Sequence, residues 1–355
     1  MKFNPDLMTF KNGTPVRDTA DWEKRRLELL DILWKEEYGY PPAAPENVSA
    51  EITSVEEQCA SGHARLEYIN LSFQAEKGAF VLPIKFFVPS GGEKHPTIVL
   101  INFRPDPYDM YFPIEEILDN GFALALVYYE DITGDNGDFS DKLAGLYSRP
   151  GDGTGWGKLS LWAFGVSRVI DYIQTREEVD IDHLAVAGHS RLGKTALLCA
   201  AQDKRVKFVF ANDSGCGGAA LEQTKHEGAE TIKDMSRAFP FWFCENRSKY
   251  ADNIDHMPFD QHFLIAAAAP RYVAIGSASL DHWADQYSEQ LCALAASPAW
   301  ELYGKKGLLA PEGPAAVGAV YSDGSISYHL RDGIHFFGRS DWLNYMAFMK
   351  RHMTS

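Results

Sequence analysis

The chain has 355 residues, 45% of them apolar, and a formal net charge of −15. That length allows one large α/β domain or two smaller ones, and the apolar share supports a sizeable core with no sign of disorder. Acidic residues run along the whole chain and leave no basic face for phosphate, which excludes nucleic acid and an anionic membrane surface as partners.

The opening stretch "MKFNPDLMTFKNGTPVRDTADW" lacks the basic start and apolar core of a secretory signal, and no apolar run is long enough to span a bilayer. The expectation is a cytoplasmic protein, or a secreted one if a leader precedes this sequence. Cys59, Cys199, Cys216, Cys244 and Cys292 form an odd set without a C-x-x-C pair, and read as reduced, buried thiols.

Residues 20–37 place Leu27, Leu29, Leu30, Ile32 and Leu33 at helical spacing and stop at Gly39 and "YPP", predicting an amphipathic helix. Residues 64–76 and 80–88 read as an antiparallel pair of strands. Strands and helices then alternate. The apolar run 97–103 is a strand, 114–121 a short helix, 122–129 a second buried strand, and 131–157 a loop rich in Gly and Asp. A helix at 158–174 follows, then a strand ending before Gly188, a helix after Ser190, and strands at 206–213, 271–279 and 325–330. A helix at 340–352 closes the chain. This alternation predicts a parallel sheet covered on both faces. The expectation is one α/β domain over residues 1–355, a three-layer αβα sandwich with a mostly parallel sheet, with residues 1–60 as an N-terminal helical extension packed on it.

In such a sheet the reactive residues lie past the carboxyl ends of the strands. Ser190 follows one strand, Asp213 the next, Asp281 the strand at 271–279, and His335 the last. Ser, Asp, His is the chain order of the α/β-hydrolase triad, so the single domain is expected to be an α/β-hydrolase. A serine hydroxyl needs a neutral imidazole to take its proton, and the imidazole needs a carboxylate to fix its tautomer. Taken alone, Ser190 could equally cap the helix after it; its strand-to-helix position, the flanking glycines and the downstream Asp and His make it the nucleophile. The spacing is unusual, however. In "GHSRLGK" the second glycine is Gly193, one place later than in G-x-S-x-G. The backbone N–H of Arg191 belongs to the oxyanion hole by its place after the nucleophile, and its guanidinium adds charge nearby. Lys194 reads either as a solvated helix face or as a second cation for an anionic substrate. His189 reads as structural, as does His262. The "DNGD" of 135–138 reads as a turn, lacking the ligand spacing of a calcium loop. Trp162 and Phe164 read as core.

The run "GHSRLGK" resembles the G-x-S-R-x-G-K elbow of carbohydrate esterase family 15, the glucuronoyl esterases. "YFPIEEILDNG", "GDFSDKLAGLY", "NDSGCGGAAL", "FPFWFCEN", "PFDQHFLIAAAAPR" and "DHWAD" are similar to its bacterial branch, over most of the chain from Trp22 onward. The resemblance implies Ser190 as nucleophile, His335 as base and Arg191 as an aid to the oxyanion. It implies Asp281 as the acid, with Asp213 as the alternative position. Lys194, Trp283 and Glu230 would then hold the sugar, with no metal or organic cofactor. Gly333-Ile334-His335 and Ser279-Leu280-Asp281 depart from relatives with G-K-H and acidic residues at these places, making the site rim more apolar. The substrate implied is a C6 ester of glucuronate, with an acetylated xylo-oligosaccharide as the alternative and a catalytically silent carbohydrate binder as a third reading.

Overall fold

The apolar runs of the sequence are apolar because their strands are covered on both faces. In the computed structural model, which describes residues 3–91 and 94–353, the strands are β1 (Val48–Gln58), β2 (Ala64–Ala75), β3 (Gly78–Pro89), β4 (His95–Asn102), β5 (Ala123–Tyr128), β6 (Val179–His189), β7 (Phe208–Asn212), β8 (Tyr272–Ala278), β9 (Val320–Tyr321) and β10 (Ile326–Arg331). They form one sheet in the order β1-β2-β3-β5-β4-β6-β7-β8-β10-β9. The run from β5 to β10 is parallel, and antiparallel strands complete the sheet on either side.

The helices α1 (Thr19–Leu33), α2 (Ile114–Asp119), α3 (Lys158–Ile173), α4 (Arg191–Gln202), α5 (Ile232–Ala238), α6 (Gln286–Ala296) and α7 (Arg339–Met353) belong to the two outer layers or their margins. Along β4, Val99 and Ile101 join the core that includes α1, α3 and α4, whereas Ile98 and Leu100 join the core that includes α2 and α7. β7 divides likewise, Val209 to the first core, Phe208 and Phe210 to the second. Two cores on two faces of one sheet make the three-layer α/β sandwich.

Helix α1 starts where Asp18 caps it, its carboxylate accepting from Asp21 N at 2.8 Å. Leu29, Leu30 and Leu33 are buried, each worth about 1.5–3 kcal/mol relative to exposure. A π turn, Trp34–Tyr38, then ends at Gly39 with φ 81°. A side chain at Gly39 would meet Trp156 Cα at 2.3 Å, so glycine is required there. This turn ties the N-terminal segment to the segments that hold Gly217 and Arg247. Tyr38 donates to Gly217 O at 3.0 Å, and Glu37 accepts from Arg247 Nε at 3.0 Å.

Two elements differ from the sequence reading. Residues 48–58, expected within a helical extension, form β1, paired antiparallel to β2. As an edge strand it is exposed at ten of its eleven positions, so no burial alternation betrays it. Helix α6 went unread because its buried face includes Ser288, Glu289 and Gln290 beside Leu291 and Cys292, which hides the apolar stripe. All five cysteines are free and buried, and no described helix is long and apolar enough to cross a membrane.

Candidate active site

Strand β6 turns into α4 at Ser190, which has φ 57° and ψ −127°. A non-glycine residue in this region is held at a cost of about 1–3 kcal/mol, supplied by the surrounding structure. Ser190 N donates to Asn212 O at 2.8 Å, and Ser190 O accepts from Gly193 N at 2.9 Å. The glycine spacing follows from close approach. A Cβ on Gly188 would stand 2.1 Å from Leu192 O, and one on Gly193 would stand 3.0 Å from Ser214 Cβ. The tight contact with the next strand end thus falls at position 193, while Leu192 is buried in the core.

His335 lies on the loop after β10, its side chain 42% exposed, and its Nδ1 is 2.5 Å from Asp281 Oδ2. That bond commits Nδ1 as the donor and leaves Nε2 free to act on a neighbour. Ser190 and His335 line one cleft, with no direct hydrogen bond between them among the described residues. Asp213 sits close by. A carboxylate oxygen of Asp213, one of Asp281 and a ring nitrogen of His335 all lie within 4.8 Å of one another. Its own carboxylate is engaged elsewhere, Oδ1 accepting from Ala278 N at 2.7 Å and Oδ2 from Arg331 Nη2 at 3.3 Å. Burial, with Glu289 and Asp281 adding, pushes this carboxyl well above the usual range, against the pull of Arg331. The Arg331 guanidinium thus stands beside Asp213 at the edge of this cluster.

His189 is buried, and Nδ1 contacts Asn212 Oδ1 at 2.7 Å. Its ring centroid is 4.4 Å from that of His335. Burial, and then the nearby His335, push its pKa well down. It is a neutral packing surface under the exposed histidine.

Arg191 pairs with Asp135 through Nη1, and its guanidinium lies 4.5 Å from the Trp242 ring centroid and 5.5 Å from those of Phe103 and Phe239. Asp135 also accepts from Trp242 Nε1 at 2.7 Å and Tyr129 OH at 3.2 Å. The cation is therefore fixed in plane and position beside Ser190. Lys194 is buried, donating to Ser214 O at 2.6 Å and to Glu230 Oε2 at 3.2 Å. Glu230 Oε1 accepts in turn from Trp283 Nε1 at 2.9 Å, and Trp283 is half exposed. All the residues singled out from the sequence line the same cleft of about 340 Å³: Ser190, Arg191, Lys194, Asp213, Glu230, Asp281, Trp283 and His335. A larger groove of about 840 Å³, beside Pro42, Phe73 and Tyr147, has no His, Lys or Arg among its lining residues to activate its serines.

A family model for glucuronyl esterases of fungi matches residues 69–304. The carbohydrate esterase MZ0003 of an unknown prokaryotic organism is 31% identical over 99% of this chain and 89% of its own. The 4-O-methyl-glucuronoyl methylesterase of Schizophyllum commune is 30% identical over 84% of this chain and 73% of its own. The solved glucuronoyl esterase from Solibacter usitatus superimposes with a TM-score of 0.89 at 33% identity, covering 99% of this chain and 97% of that one. The chain belongs to the glucuronoyl esterases of carbohydrate esterase family 15. It is a carboxylic ester hydrolase with the α/β-hydrolase fold.

Three residues that hold the groups around this glucuronoyl esterase's cleft escaped the sequence reading. Asp135 lies in the "DNGD" turn, 56 positions from the arginine it holds, and no spacing rule connects them. Replacing Asp135 by asparagine is expected to lower kcat about tenfold by loosening Arg191, with stopped-flow or initial-rate kinetics as the check. Arg331 sits at the end of β10, where a single arginine carries no periodic signal.

Glu289 on α6 accepts from Ser214 N and Gly215 N, both at 2.9 Å, and from Ser277 Oγ at 2.5 Å, fixing the loop after Asp213. Burial pushes its carboxyl up to about 7. The folded chain thus holds a proton that the unfolded chain releases near pH 4. This contribution to stability is full below about pH 4 and lost as pH rises through about 7. Wild type should lose denaturation midpoint relative to Glu289→Gln as pH goes from 5 to 8. A constant difference between the two would contradict this assignment.

Proposed function

We propose that this esterase cleaves the C6 ester of glucuronate or 4-O-methyl-glucuronate by a Ser190–His335–Asp281 mechanism through an acyl-enzyme. The observation that carries the reading is one cleft in which a strained serine and a carboxylate-bonded histidine share the space with a Lys194–Glu230–Trp283 chain. The first pair suits acyl transfer. The second set offers a cation, an anion and a half-exposed aromatic face, which suits the hydroxyls and ring of a sugar. The substrate named for the fungal relative supports the same choice.

His335, its Nδ1 proton held by Asp281, takes the Ser190 proton at Nε2 as Oγ attacks the ester carbon. The carbonyl oxygen gains negative charge beside the N-terminus of α4, where the Arg191 N–H and a loop N–H near Phe103 or Arg104 stabilise it, with the fixed guanidinium adding charge. His335 then protonates the departing alcohol and activates water, which frees the uronate. Asp281 is favoured over Asp213 as the acid because Asp213's oxygens already serve Ala278 N and Arg331.

The sugar-binding half is testable on its own. Trp283 is half exposed, so Trp283→Ala should leave the fold intact. KM for benzyl glucuronate is expected to rise about tenfold, about 1.4 kcal/mol of lost binding, with kcat within twofold. Hydrolysis of p-nitrophenyl acetate should not change. An unaltered KM for the uronate ester would remove Trp283 from the sugar site.

A further inference from the structure

The two members of the His335–Asp281 pair come from different loops, so something must set the distance between them. His335 lies between β10 and α7, and Asp281 between β8 and α6. The loop backbones meet directly, Ser279 N donating to Arg331 O and Leu280 N to Gly333 O, both at 2.9 Å, and the side chain of Arg331, mostly buried at the end of β10, adds a second tie. Its Nη2 donates to Ile334 O at 3.0 Å and to Phe336 O, the carbonyls on either side of His335. Nη1 donates to Asp332 O at 3.2 Å. Nε donates to Asp341 Oδ2 at 2.7 Å, and Asp341 also accepts from Gly338 N and His329 Nε2, both at 2.8 Å. The histidine loop is therefore wrapped around one guanidinium and closed by the start of α7.

The same guanidinium reaches across to the other loop through Asp213. Nη2 is 3.3 Å from Asp213 Oδ2, and Asp213 Oδ1 accepts at 2.7 Å from Ala278 N, where the loop bearing Asp281 begins. Asp213 itself has φ 44° and is anchored by its N–H to Gly276 O at 2.7 Å. Neither oxygen of Asp213 is hydrogen-bonded to His335 among the described residues.

We infer that Arg331 and Asp213 form a cross-brace between the two loops, which positions His335 against Asp281 without either brace residue taking part in the chemistry. The inference rests on the reading of Ser190, His335 and Asp281 as the reacting groups. A planar guanidinium suits this task because it can hold three carbonyls and two carboxylates in fixed directions, which a lysine ammonium cannot. Misplacing a general base by about an ångström can cost roughly 100-fold in rate. Breaking the brace should act through geometry alone and only once.

The test compares Arg331→Gln, Asp213→Asn and the double variant, with Ser190→Ala alongside, on benzyl glucuronate. Each single variant is expected to lose roughly 10- to 100-fold in kcat, with KM within twofold and the melting transition retained. The double variant should lose no more than the worse single one, because a brace cut at one end is already open. The far-downfield imidazole proton expected for the 2.5 Å Asp281–His335 bond should weaken or shift in both single variants. Losses that multiply in the double variant, or wild-type kcat in Arg331→Gln, would overturn the brace. Should Arg331→Gln not fold, Arg331→Lys takes its place, with a partial kcat loss and the same non-additivity expected; wild-type kcat there would overturn the proposal equally. An active Ser190→Ala would instead bring down the reading of the reacting groups on which the brace depends.

Discussion

Ser190→Ala is expected to lower kcat on a glucuronate ester by 10⁴-fold or more, leaving the small rate that oxyanion stabilisation and binding alone provide. The size of the effect follows from the loss of the attacking atom. The fold should survive, because the hydrogen bonds that fix the turn are made by the backbone, Ser190 N to Asn212 O and Gly193 N to Ser190 O. The strained φ of 57° is tolerated by alanine no worse than by serine. A melting transition like that of wild type, with turnover gone, is the combination to look for. Activity above a hundredth of wild type would place the nucleophile elsewhere.

The second large effect separates the two carboxylates. Asp281→Asn is expected to cost about 10³- to 10⁴-fold in kcat, because the amide cannot hold the His335 tautomer that leaves Nε2 free. Asp213→Asn should cost only roughly 10- to 100-fold, acting through loop geometry. The argument rests on what each carboxylate already holds. Asp281 Oδ2 meets His335 Nδ1 at 2.5 Å, while Asp213 answers Ala278 N and Arg331. Steady-state kinetics on both variants decides the matter, and the reverse order of losses would move the acid to position 213. The direction of the Asp213 shift agrees with this order. A carboxyl that burial, Glu289 and Asp281 push upward is less ready to stabilise an imidazolium than one hydrogen-bonded to it.

The parallel core of this fold was legible because its strands are buried on both faces and so read as unbroken apolar runs, from residues 97–103 to 271–279. The loops at their carboxyl ends could then be searched for reactive types, which brought out Ser190, Asp213, Asp281 and His335. The unusual "GHSRLGK" spacing also has a local cause, visible in the contacts of Gly188 and Gly193. Asp135 and Arg331 were not legible for the opposite reason. Their roles depend on partners brought close only by the fold, and a carboxylate in a turn or an arginine at a strand end carries no periodic signal. β1 was missed because an edge strand with both faces in solvent has no apolar alternation to read. Lys194 had two readings from sequence, a solvated helix face or a second cation for an anionic substrate, and its burial against Ser214 O and Glu230 excludes the first.

The most direct test of the central claim sets benzyl glucuronate against an acetylated xylo-oligosaccharide, using wild type and Ser190→Ala, and follows acid release from each. The account predicts that wild type frees glucuronate and little acetate, and that Ser190→Ala frees neither. Deacetylation without cleavage of the glucuronate ester, or equal turnover by Ser190→Ala, would contradict it.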